Sequence, residues 1–78
     1  MIDYLTLKNS YVAAIHMGLE LGFRDPKQGN ELLYEFCKKC VDNSNYSEQD
    51  KQNMKLELAL IKETFSKEIE LRNRGAQQ

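Results

Sequence analysis

Met54, Leu58, Ile61, Phe65 and Ile69 recur at intervals of three and four residues. That recurrence places all five on one stripe of an α-helix, whereas a strand, with its period of two, would scatter them over both faces. The segment has its own start signal. Ser47 is an N-cap residue, with Asp50 at the third helical position and Glu48 adding negative charge to the first turn. The helix is expected from Glu48 to about Arg72. Glu63 with Lys67, Glu68 with Arg72 and Glu70 with Arg74 are spaced to pair along it. The domain is read as 1–74, with residues 75–78 as a frayed tail beginning at Gly75.

A stripe of this kind must be buried against something, and the rest of the chain supplies two shorter helices. Over residues 3–22, Tyr4, Leu5, Leu7, Tyr11, Val12, Ala14, Ile15, Gly18 and Leu19 share one half of a helical projection. Asp3, Thr6, Asn9, Ser10, His16 and Glu20 take the other half. Gly22 suits the left-handed residue that ends a helix, and Phe23 is expected to fold back onto Met17 or Leu19. Asp25-Pro26 then reads as an N-cap followed by proline in the first turn, with Gln28 at the capping-box position. Gly29 and Asn30 weaken that turn, which moves the expected start toward Asn30. The apolar arc of this second helix holds Leu32, Leu33, Phe36, Cys37, Cys40 and Val41. The run Asp42-Asn43-Ser44-Asn45 is a turn. The fold class is therefore all-α, a small three-helix bundle with a long C-terminal helix.

At 78 residues the chain is one domain, and a domain this small is marginal unless its helices are well formed or a partner subunit covers it. Eleven basic and twelve acidic residues leave a net charge of -1, which gives no electrostatic case for nucleic acid. No apolar run reaches the length of a membrane span, and no export signal is recognisable. With two cysteines, a reducing, cytoplasmic setting is the expectation.

Cys37-Lys38-Lys39-Cys40 is the one motif-like element. A redox role calls for a thiolate at a helix N-terminus, and these cysteines fall well inside a helix. A zinc site needs four ligands, and this motif supplies two. Both cysteines lie on the apolar arc beside Leu33 and Phe36, so they read as core residues. His16, the single histidine, has no nucleophile beside it and reads as a surface residue at the edge of the apolar half. Glu57 and Glu63 read as solvated helix positions. Lys51, Lys55 and Lys62 fall within a narrow arc, but Glu48, Glu57, Glu63 and Glu70 dilute it. Tyr4 and Tyr11 belong to the apolar half and are expected to pack. No residue is assigned a catalytic, cofactor or metal-binding role.

Two further stripes decide the functional expectation. Leu56, Leu60 and Leu71 project away from the main seam of the third helix. Ala13, Met17 and Leu21 interrupt the polar face of the first. A bundle that leaves both in water exposes aligned apolar residues, the usual mark of an interaction surface. The expectation is a small non-enzymatic protein-binding module, an adaptor, inhibitor or regulator, acting through Met17, Leu21, Leu56, Leu60 and Leu71 as a homodimer. The alternative is a dimeric DNA-binding transcriptional regulator.

Overall fold

The computed structural model describes residues 3–22 and 24–76. Its elements are α1 (Tyr4–Leu21), α2 (Pro26–Asp42) and α3 (Glu48–Ala76). The all-α reading holds, and each boundary has a local cause. Asp3 caps α1, its carboxylate accepting from the Thr6 amide at 2.9 Å. Gly22 ends α1 with φ 84°, in the left-handed region, its N–H returning to the Gly18 carbonyl. A side chain at that backbone angle would be strained, so glycine serves there. Ser47 Oγ accepts from the Asp50 amide at 3.1 Å, as the capping pattern requires.

Three local expectations are corrected. α2 starts at Pro26 rather than Asn30, because the Asp25 carboxylate accepts from the Gln28 amide at 3.1 Å and secures the first turn despite Gly29. The apolar arc of α2 is also too broad to bury whole. The line that reaches the core is Asn30, Cys37 and Val41, whereas Leu32 and Phe36 remain 62% and 58% exposed. Leu32 precedes Cys37 by five residues, a rotation of about 140° around the axis, which turns it away from the core. At the C-terminus, α3 continues through Gly75 to Ala76. The expected packing of Phe23, and the last two residues of the chain, lie outside the described residues.

The contacts fix the helix directions. Tyr4 meets Met54 and Glu57, His16 meets Phe65, and Glu20 meets Arg72, so α1 runs parallel to α3. Asp42 meets Lys55, and Asn30 meets Lys62 and Ser66, so α2 runs antiparallel to α3. α2 packs most extensively on α3, and α1 touches α3 least. The result is a rod of 47 × 19 × 16 Å whose long axis is close to the length of α3 itself.

Leu7, Tyr11, Ile15, Cys37, Val41, Leu58 and Phe65 form the core, and Met54 and Ile61 pack against it. A polar hub passes through its centre. Asn30 is 1% exposed, and its side-chain oxygen accepts from the Tyr11 hydroxyl of α1. Its amide nitrogen donates to the Lys62 carbonyl at 3.0 Å and to Ser66 Oγ at 3.3 Å, both on α3. Outside the core, the Tyr46 hydroxyl accepts from the free Tyr4 amide at 3.0 Å, tying the α2–α3 turn to the start of α1.

Burial sets a pH dependence. It pushes the Cys37 thiol up to about 11, with Cys40 adding a smaller contribution, and it raises the Tyr11 hydroxyl above its ordinary value. The folded chain therefore holds protons that the unfolded chain gives up sooner. The stability is complete below about pH 9 and is lost as pH rises toward 11. Each such group removes about 1.4 kcal/mol per pH unit across its window. Urea midpoints measured between pH 8 and pH 11 are expected to fall, and Cys37→Ala is expected to flatten the decline. An equally steep decline in that variant would mean that Cys37 does not contribute.

Candidate protein-interaction surface

All five residues expected to contact a partner are exposed in the single chain: Met17 by 61%, Leu21 by 80%, Leu56 by 66%, Leu60 by 69% and Leu71 by 64%. None of these stripes is covered by the chain's own helices. They belong to two faces rather than one. Met17 and Leu21 line a depression with Ala14, Gly18 and Gly22. Leu60 instead borders a groove between α1 and α3, together with Val12, Ile61, Thr64 and Phe65. Val12 and Met17 are five residues apart, so they leave α1 in directions about 140° apart. Sequence spacing shows that each stripe exists, but the rotation of α1 about its axis, which only packing sets, separates them.

The polar side chains that border the α1–α3 groove, Thr64 and Glu57, are engaged within the molecule. Thr64 donates its hydroxyl to the Leu60 carbonyl at 2.9 Å, so its one polar side-chain group is satisfied within the helix. Glu57, at the edge of the groove, accepts from the Tyr4 hydroxyl and pairs with Lys8 at 3.4 Å. The Tyr4 hydrogen bond, foremost, and Lys8 hold the Glu57 carboxyl below the usual range. Leu5, 61% exposed, extends the apolar surface of α1. Leu32 and Phe36 of α2 were missed as surface residues, because a 3.6-residue period cannot tell the middle of a wide arc from its edge.

The other candidates resolve into structural roles. Cys37 is 2% exposed and Cys40 half-buried against the same core, both as free thiols. A thiol held protonated by burial is a poor nucleophile at neutral pH. His16 is exposed and sets its ring edge-on to Phe65, with centroids 5.3 Å apart. The lysine arc of α3 turns toward α2. Lys55 pairs with Asp42 at 2.8 Å, Lys51 donates to the Asp42 carbonyl at 3.1 Å, and Lys62 lies over the Tyr34 ring at 4.8 Å. These cations are engaged within the molecule and present no free basic stripe. Among the described residues, no three metal-ligating side chains cluster, and no helix is long and apolar enough to cross a membrane. Comparison with protein-family models, curated proteins and solved structures finds no match to this chain.

Proposed function

We propose that the chain is a small, non-enzymatic protein-binding module, an adaptor, inhibitor or regulator that works as a homodimer by apposing an apolar helix face to a partner. The observation that supports this is the exposure of three leucines, Leu56, Leu60 and Leu71, on one side of α3, each about two-thirds open to solvent. Fully burying a leucine is worth roughly 1.5–3 kcal/mol, so three leucines matter to a domain whose whole stability is of order 5–15 kcal/mol. Binding modules of this kind need a rigid face, apolar anchors and a polar rim. Glu57 and Glu63 flank the leucines on either side, and Lys67 lies among them. The DNA-binding alternative gains no support from the lysine arc, because Asp42 and Tyr34 already engage it.

Leu60→Glu provides the test. The side chain is exposed, so the variant is expected to keep the wild-type circular-dichroism spectrum and melting cooperativity. Its mass in sedimentation equilibrium is expected to drop toward the monomer's 9.1 kDa. A folded variant with the wild-type's mass and all of its binding would sink the reading. Unfolding of the variant would show instead that Leu60 is needed inside the bundle.

A further inference from the structure

We draw no further inference here: the strongest candidate, the groove between α1 and α3 bordered by Val12, Leu60, Ile61 and Phe65, belongs to the exposed apolar surface already described, and nothing in the structure shows what covers it.

Discussion

Leu58→Ala is expected to destabilise the chain by about 2–5 kcal/mol, whereas Leu60→Ala, two residues along, should cost the isolated subunit no more than about 0.5 kcal/mol. The difference follows from position alone. Leu58 is 0% exposed and sits within the core cluster alongside Tyr11, Ile15 and Phe65. Truncating it loses the transfer free energy of the deleted carbons and leaves a cavity that three packed helices close only in part. Leu60 is 69% exposed, and truncating it opens no cavity. Because a domain this small has little stability in reserve, Leu58→Ala is expected to be substantially unfolded at 37 °C. Urea denaturation followed by circular dichroism, at concentrations low enough to dissociate any assembly, measures both costs. Equal losses would contradict the assignment of Leu58 to the inside of α3 and Leu60 to the outside. At concentrations that permit assembly, Leu60→Ala should acquire a cost that it lacks in the dilute chain.

The contrast between these leucines also shows what periodicity carries. Leu58 and Leu60 differ by two residues, hence by about 200° on a helix, and that is enough to assign one to the seam and the other to the second stripe. The same geometry marks Tyr11, Ile15, Phe65 and Ile69 as inward, and capping chemistry at Ser47, Asp25 and Gly22 gives the helix limits. It fails where tertiary packing chooses among equivalent directions. The arc of α2 spans half the helix circumference, and only the placement of α1 and α3 decides that Cys37 and Val41 point in while Leu32 and Phe36 point out. Grouping Met17 and Leu21 with the α3 leucines failed to anticipate two faces for the same reason. The directions are legible one helix at a time, but the angle between helices is not. Asn30 was the least legible residue. In sequence it sits beside a glycine in the first turn of a helix, a place for a weak or late start. Its partners are 19, 32 and 36 residues away, so no local pattern announces it.

That hub is the site of the second large effect. Asn30→Ala is expected to cost about 2–4 kcal/mol, and the loss should depend on Tyr11. With the side-chain oxygen of Asn30 gone, the Tyr11 hydroxyl loses its short acceptor. The Asn30 backbone carbonyl at 3.5 Å is too distant to replace it well. Tyr11 is 1% exposed, so water cannot step in without opening the core, and a buried donor without an acceptor bears its full desolvation cost. Tyr11→Phe alone leaves the mirror problem, an asparagine oxygen with nothing donating to it. When both are replaced, neither orphan remains. The double variant Tyr11→Phe/Asn30→Ala is therefore expected to lose less than the sum of the two single losses, by about 0.5–3 kcal/mol. Strict additivity in that double-mutant cycle would mean that the hydrogen bond contributes nothing beyond packing. The residual cost of the double variant then measures the links from Asn30 to α3. These reach Ser66 and the Lys62 carbonyl one turn apart, so they hold α2 at one axial register along a helix whose apolar seam, repeating every turn, would accept a neighbouring register nearly as well.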